Sequence, residues 1–473
     1  MNTTRLMDFV KIVGGVFISG DPHECFRSVS VDTRTLAAGD CYFALVGPVH
    51  DGHDFIKEAV SKNAGVIVFS RGDITLSENK ISLGIPALIK VDDTLKALGD
   101  YAAASRREFD ARVAVVAGSN GKTTVKNMLS DILTLEGNTH KSPSNYNNLV
   151  GLPLSILGAS GDEKFVVLEA GISVRGEMER LGKIASPDVA ILTNIGAEHL
   201  AGFGDMEGVL REETKLLDSL RPGGVAALNI DDERLSGVSR TLKKSVIRYS
   251  VRSMPGADIS AASVTVSPDG VEFIMDYAGE ALDINLRVNG VFNVSNALAA
   301  ASAAKAFGAP AEKVKAGLDG FAPVAGRMQK LKLPNGGVII NDAYNANPDS
   351  MRAALAAFCE AYPQCSKIFV LGDMLETGAA ETKEHEALAD FIMTLPFDEV
   401  LLVGERMRHA LRRMKTLHPP APVRHFASVR ELSEELRDPK YTSGSSAVFF
   451  KASHSIGLSE PATQLYADHS REI

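Results

Sequence analysis

A run of small or β-branched apolar residues, Val113-Ala114-Val115-Val116-Ala117, passes without a break into Gly118-Ser119-Asn120-Gly121-Lys122-Thr123-Thr124 and then into a helical pattern. No other stretch restricts the fold as tightly. A short run of that composition reads as a strand buried on both faces, and such strands belong to parallel sheets covered by helices. The glycines let the backbone turn sharply, so that N–H groups and the N-terminus of the next helix converge. That convergence suits a polyphosphate. Lys122 would bridge β- and γ-phosphates and the Thr123 hydroxyl would reach Mg²⁺. The strict nucleotide-loop pattern requires a glycine where this chain has Val116, so the first glycine comes two residues late.

The surrounding chain repeats the same rhythm. Strands are expected at Phe165–Glu169, 189–193 and Val225–Asn229, alternating with helices, which implies right-handed βαβ units. Between Ile259 and Leu286 shorter alternating runs with turns at Pro268-Asp269-Gly270 and Ala278-Gly279 suggest an antiparallel annex, and an Ala-rich helix follows over about 293–307. Residues 317–326 read as a linker. The α/β rhythm then returns with strands at Val338–Asn341, 368–371, 400–403 and 447–450. At 473 residues the chain exceeds one ordinary domain. The expectation is α/β with three domains: a small α/β domain at 1–108, a central nucleotide-binding parallel sheet with its annex at 109–320, and an open doubly wound domain at 321–473.

Charge and composition exclude several classes. Hydrophobic residues make up 45% and charged ones 23%, as in soluble globular proteins. A net charge of -9 and a pI near 5.7 argue against broad nucleic-acid binding, which needs a cationic surface. No run approaches the roughly 18 apolar residues that span a bilayer, so a cytoplasmic location is expected by default. Cys25, Cys41, Cys359 and Cys365 form neither a C-x-x-C pair nor a zinc pattern, and are expected to be reduced and mostly buried.

Further motifs follow the loop in order: Asn145-Tyr146-Asn147-Asn148, Glu169-Ala170-Gly171, Asn194 with His199-Leu200, 293–296, Gly326-Arg327, Asp342-Ala343-Tyr344-Asn345-Ala346-Asn347-Pro348, and Leu371-Gly372-Asp373-Met374. Together with the shortened loop they resemble the Mur ligase family over nearly the whole chain. The resemblance implies an ATP-dependent enzyme joining a carboxylate to an amine through an acyl phosphate. The form of the Asp342 motif implies UDP-N-acetylmuramoyl-tripeptide and D-alanyl-D-alanine as substrates. The family resemblance as a whole implies two Mg²⁺ ions, and a monomer is expected.

Residue roles carry over with the motifs. Loop residues 118–124 would cradle ATP, with Thr123 and Glu169 on the first Mg²⁺ and His199 on the second. Arg327 would reach ATP from the last domain, Asp342 would bind the ribose hydroxyls, and Tyr344 and Asn345 would lie near the base. Of Asn293 and Asn296, three apart at a helix start, one could cap while the other meets adenine. Asn145, Asn147 and Asn148 would approach the muramyl peptide, and Asp32, Thr33 and Arg34 the UDP-sugar end. A surface ion pair explains Asp32 and Arg34 equally well. Asn347, Lys451 and Ser453 are placed among the substrate contacts.

Two positions depart from the family pattern. Where the family often carries a carbamylated lysine on the second Mg²⁺, ungapped alignment puts Glu213, with Lys215 two residues on. Either Glu213 supplies the carboxylate directly or the register shifts and Lys215 is carbamylated. His454 stands where the family usually has arginine, which weakens the expectation about the acceptor. A Mur-type ligase with another acceptor, and a nucleotide-driven switch protein, are the competing readings.

Overall fold

The structure, a computed structural model, describes residues 4–72, 86–197, 200–375 and 377–470. Its strands form three large sheets and one two-stranded ribbon. The first large sheet runs in the order Val16–Ser19, Ala87–Lys90, Val66–Phe69, Cys41–Phe43, Val29–Ser30. Only its edge pair is antiparallel. Helix Thr94–Arg107, capped by Asp93, leaves this sheet and lies on helices Gly151–Leu157 and Glu177–Ala185 of the next unit. Arg106, 2% exposed, donates to the carbonyls of Ala185 and Ser186 and pairs with Asp188. The same Asp188 oxygen accepts the N–H of Val113. The first unit is thus fastened to the strand that feeds the glycine loop, and one apolar cluster runs through both, from Phe9, Phe26 and Tyr101 to Val113 and Leu168.

The middle sheet has nine strands, ordered Glu280–Leu286, Gly270–Tyr277, Ile259–Ser267, Ser245–Ser250, Val225–Asn229, Val189–Leu192, Arg112–Ala117, Phe165–Glu169, Thr139–Lys141. The annex strands are antiparallel and extend this same sheet; the other ladders are parallel. After Arg112–Ala117 the chain builds strands on one side of it and then crosses to the other, which makes its carboxyl end a topological switch point. Helix Lys122–Thr134 starts there, and the Ala-rich helix Val291–Ala306 packs against it.

The expected linker at 317–326 begins too early. Helix Ala311–Asp319 runs through Gly317, because only glycine lets it lie this close to the loop helix: a Cβ at Gly317 would sit 2.6 Å from the Ile132 Cα. The connection to the last unit therefore starts at Gly320. That unit is a six-stranded sheet, Gln329–Lys332, Val338–Asn341, Ser446–Lys451, Ser366–Gly372, Glu399–Val403, Val423–Phe426, parallel except for its first edge strand. Asp342, Asp373 and Ser453 follow the carboxyl ends of its strands, and the Asp373 carboxylate turns back within the unit to accept the Met407 N–H.

The cysteines correct one expectation: only Cys41 is buried, Cys25 is exposed, and Cys359 and Cys365 are half-buried. Cys25 occupies a two-residue ribbon strand with its outer face in solvent, and the other two flank the end of a helix at the rim of the last sheet. Among the described residues no helix is long and apolar enough to cross a membrane.

Candidate active site

The glycine loop is held from below and from the side by neighbouring strand ends. Gly118 and Gly121 adopt φ of +108° and +88°, a region that costs a residue with a Cβ about 1–2 kcal/mol. Space is equally restrictive, since a Cβ on Gly121 would meet Asn296 Oδ1 at 2.3 Å. Asn194 clasps the loop's apex: its Oδ1 accepts the Asn120 N–H and its Nδ2 donates to the Asn120 carbonyl, both at 3.0 Å. Thr193 Oγ1 donates to the same carbonyl at 2.6 Å. Lys122 folds back over the loop, donating to the carbonyls of Gly118 at 2.7 Å and Ser119 at 3.0 Å.

Glu169, at the carboxyl end of the adjacent strand and 1% exposed, joins three pieces of chain. One oxygen accepts from Thr123 Oγ1 at 2.8 Å and lies 3.3 Å from Lys126 Nζ; the other accepts from Asn147 Nδ2 at 2.9 Å. Lys126, equally buried, also donates to the Ser144 carbonyl at 2.6 Å. Burial pulls the Lys126 ammonium below the ordinary lysine range, and the Glu169 carboxylate opposes that shift.

The last unit reaches over the loop. Arg327 donates to Thr123 Oγ1 at 3.0 Å and lies 4.1 Å above the Tyr344 ring, whose centroid is 5.3 Å from that of His454. Asn347 donates to Asn120 Oδ1 at 2.8 Å while its own oxygen caps the next helix. Asp342 accepts the Met328 N–H on one oxygen and Lys451 Nζ at 2.7 Å on the other. Between the two units lies a cleft of about 760 Å³. Residues 119–124, Asn145, Asn147, Asn148, Glu169, Asn293, Asn296, Arg327, Asp342, Tyr344, Asn345, Asn347 and Lys451 all line it.

Other expected site residues lie elsewhere. Glu213 is buried behind the loop, where its Oε2 accepts the Gly118 N–H at 3.0 Å. Lys215 points away and pairs with Glu212 at 2.7 Å. Ser453 is buried beside the cleft with its Oγ accepting the Leu375 N–H. Asp32, Thr33 and Arg34 lie in the turn that follows strand Val29–Ser30 of the first sheet, and none of them lines this cleft. There the Arg34 guanidinium, 86% exposed, forks onto Asp32, and the Thr33 carbonyl accepts from Lys62. That is the surface-pair alternative. His199 lies outside the described residues. Neither Asn293 nor Asn296 caps the helix, whose N-cap is Gly290; Asn293 donates to the Asn289 carbonyl and Asn296 to Asn293.

Lys126, Thr193 and Asn229 were not singled out from sequence as site residues. Lys126 carried a signal, being a lysine on the same helical stripe as Thr123, Leu129 and Ser130, all buried. Asn229, which ends a strand and donates to the Thr193 carbonyl at 3.0 Å, carried none. Among the described residues no group of three His, Cys, Asp or Glu side chains could hold a metal.

Comparison with known proteins is consistent along the whole chain. Residues 26–106 match the profile described as "Mur ligase family, catalytic domain", 116–304 "Mur ligase middle domain", and 326–454 "Mur ligase, glutamate ligase domain". The chain is 32% identical to the UDP-N-acetylmuramoyl-tripeptide–D-alanyl-D-alanine ligase of Bacillus subtilis, over 92% of each chain. Against the Escherichia coli enzyme of the same name it is 33% identical over 81% of this chain and 82% of that one. Among solved structures it is similar to MurF from Acinetobacter baumannii, with a TM-score of 0.88 and 27% identity over 99% of both chains. MurF from Thermotoga maritima in complex with ADP gives 0.81 and 25%, covering 94% of this chain and 98% of that one.

Proposed function

The chain belongs to the Mur ligase family, and on that premise we propose that it joins D-alanyl-D-alanine to UDP-N-acetylmuramoyl-tripeptide with cleavage of ATP to ADP and phosphate. The observation that carries the reading is the cleft in which the glycine loop, Glu169, Arg327 and the Asp342–Lys451 pair meet, contributed by two units of one chain.

A carboxylate is a poor electrophile at neutral pH, so the tripeptide's terminal carboxylate takes the γ-phosphoryl group first. The bond from the γ-phosphorus to the bridging oxygen breaks, ADP leaves, and an acyl phosphate forms. The dipeptide amine attacks its carbonyl carbon, passes through a tetrahedral adduct, loses a proton and expels phosphate. The protein positions the reactants and compensates charge. Loop N–H groups and Lys122, released from the Gly118 and Ser119 carbonyls, hold the phosphates. Arg327 sits where it can turn from Thr123 onto the transferring phosphoryl group. The Asp342 carboxylate, held by Lys451 and the Met328 N–H, faces the cleft where the ribose would lie.

The Thr123 hydroxyl and the Glu169 carboxylate, in contact at 2.8 Å, are hard oxygen donors that fit one Mg²⁺. Mg²⁺ held by these two groups would supply charge compensation for the phosphates. Burial of Glu213 against the loop, with Lys215 turned away onto Glu212, supports Glu213 rather than a carbamylated Lys215 as the carboxylate near a second ion. His454, its ring tilted at 41° to that of Tyr344, offers no permanent cation where the family usually carries arginine. The glycine loop, Glu169, Arg327 and Asp342 that line the cleft all come from one chain, which suits action as a monomer, and ATP consumption suits the cytoplasm.

The test is product identity. Purified protein incubated with UDP-N-acetylmuramoyl-tripeptide, ATP and D-alanyl-D-alanine should yield the UDP-linked pentapeptide by mass spectrometry, with ADP release dependent on both substrates. ADP release without that product, or a faster reaction with L-glutamate as the amine, would overturn the proposal.

A further inference from the structure

Glu169 faces two ways. Its Oε2 belongs to the nucleotide side, through Thr123 on the loop helix, and its Oε1 to the substrate side, through Asn147. The loop bearing Asn145, Asn147 and Asn148 is built on the same strand end. Ser142 Oγ accepts the Glu169 N–H at 3.3 Å, the Gly171 N–H reaches the Asn147 carbonyl at 2.8 Å, and Ser144 is held at a φ of +43°. A serine takes that left-handed conformation only where its surroundings hold it.

One side chain spans both sides. Lys126 Nζ lies 2.6 Å from the Ser144 carbonyl and 3.3 Å from Glu169 Oε2, one helical turn beyond Thr123, and it is 1% exposed. A buried ammonium has no reason to sit among the apolar residues of this helix unless its partners require it. Both of its partners are site elements: the carboxylate beside the loop threonine and the backbone of the Asn-rich loop. Moving either one moves the other through a group that cannot leave for solvent.

We propose that Lys126 is the positioning residue that couples the two halves of the cleft, so that Mg²⁺·nucleotide at Thr123 and Glu169 raises affinity for the UDP-linked peptide at the Asn145–Asn148 loop, and the reverse. The coupling is reciprocal, as any linkage between two binding equilibria must be. Lys126 touches neither reactant in this role. The proposal rests on the ligase reading for the identity of the loop's ligand.

The experiment uses the full chain and binding alone. Wild type and Lys126→Met are titrated calorimetrically with UDP-N-acetylmuramoyl-tripeptide, with and without AMP-PNP and Mg²⁺, and the ratio of the two dissociation constants is read. Wild type should show a ratio of about fivefold or more, the usual range for coupled sites. In Lys126→Met, which keeps an unbranched stem as far as Cε without charge or donor, the ratio should fall to within about twofold of unity. Melting temperature and AMP-PNP affinity without the peptide report whether the loop helix is intact. If Lys126→Met does not fold, Lys126→Gln, neutral but still a donor, is read by the same ratio and should lower it. An unchanged ratio in the folded variant, or a wild-type ratio near one, would overturn the coupling. Intact coupling in a protein that makes no pentapeptide would instead overturn the ligase reading and leave the role of Lys126 standing.

Discussion

Replacing Glu169 by glutamine perturbs the centre of the cleft at constant shape. Glu169 accepts from three donors, Thr123 Oγ1 and Lys126 Nζ on one oxygen and Asn147 Nδ2 on the other. Glutamine keeps one acceptor and turns the other into a donor. With its oxygen toward Thr123 and Lys126, only Asn147 meets a donor, and Asn147 repairs that by turning its amide over. The remaining cost is the charge, because Lys126 stays buried without its counterion. Removing one member of a buried pair costs about 3–5 kcal/mol, and the Ser144 carbonyl, still 2.6 Å from Nζ, puts the expectation at about 3 kcal/mol. Hydrogen exchange of the 122–134 segment in metal-free buffer at neutral pH should therefore lose about 150-fold in protection. The sign with pH follows from Lys126, whose folded pKa lies below its ordinary value. Losing Glu169 lowers it further, so the deficit shrinks as pH rises toward the ordinary lysine range. The double variant Glu169→Gln/Lys126→Met replaces the pair with two neutral groups and should regain most of the loss. A loss of protection under about tenfold, or a double variant equal to the sum of the singles, would refute the buried-pair argument.

Gly121→Ala places a Cβ against Asn296 Oδ1 in a left-handed backbone, and nucleotide affinity measured by fluorescent-analogue binding should fall about tenfold or more. Asn296→Ala in addition should restore only part, since the backbone strain stays. Lys451→Met strips Asp342 of its ion pair at 2.7 Å, and thermal unfolding should report a loss of about 2–4 kcal/mol together with weaker ATP binding. Glu213→Ala should raise the Mg²⁺ concentration needed for half-maximal ADP release by about tenfold, whereas Lys215→Ala should change it less than about threefold; the opposite pattern would favour a carbamylated Lys215. Glu435 is pulled down to about 2 by the Arg424 fork and the Tyr441 hydroxyl. Its contribution to the last unit is complete above the usual carboxylate range and is lost as pH falls from about 4.5 toward 2, so Arg424→Met should move acid unfolding to higher pH, followed by circular dichroism.

Much of the architecture was legible because it depends on neighbours in sequence. Apolar runs at Val113, Phe165, Val189 and Val225 and at Val338 and Ile368 mark buried parallel strands, and each became one. The linker was misplaced because Gly317, a helix breaker by propensity, is kept helical by its contact with Ile132. Capping by one of Asn293 and Asn296, which the sequence left open, does not occur, because the N-cap position is taken by Gly290. Glu169 and Asp342 were recognisable at strand ends, but their partners were not. Nothing in the sequence alone joins Glu169 to Lys126 or Asp342 to Lys451, whereas the Asp32–Arg34 pair, two positions apart, was one of the two readings the sequence offered.

By itself, then, the order of residues determined that a glycine turn running into a helix forms at 118–124, with residue types suited to a polyphosphate, because positive-φ glycines, a lysine and a helix start are properties of consecutive residues. Which groups complete the cleft was decided only by the tertiary structure. Asn347 reaches Asn120 across 227 positions and Arg327 reaches Thr123 across 204. Burial and charge compensation depend on which surfaces meet in space, and no local pattern encodes that meeting.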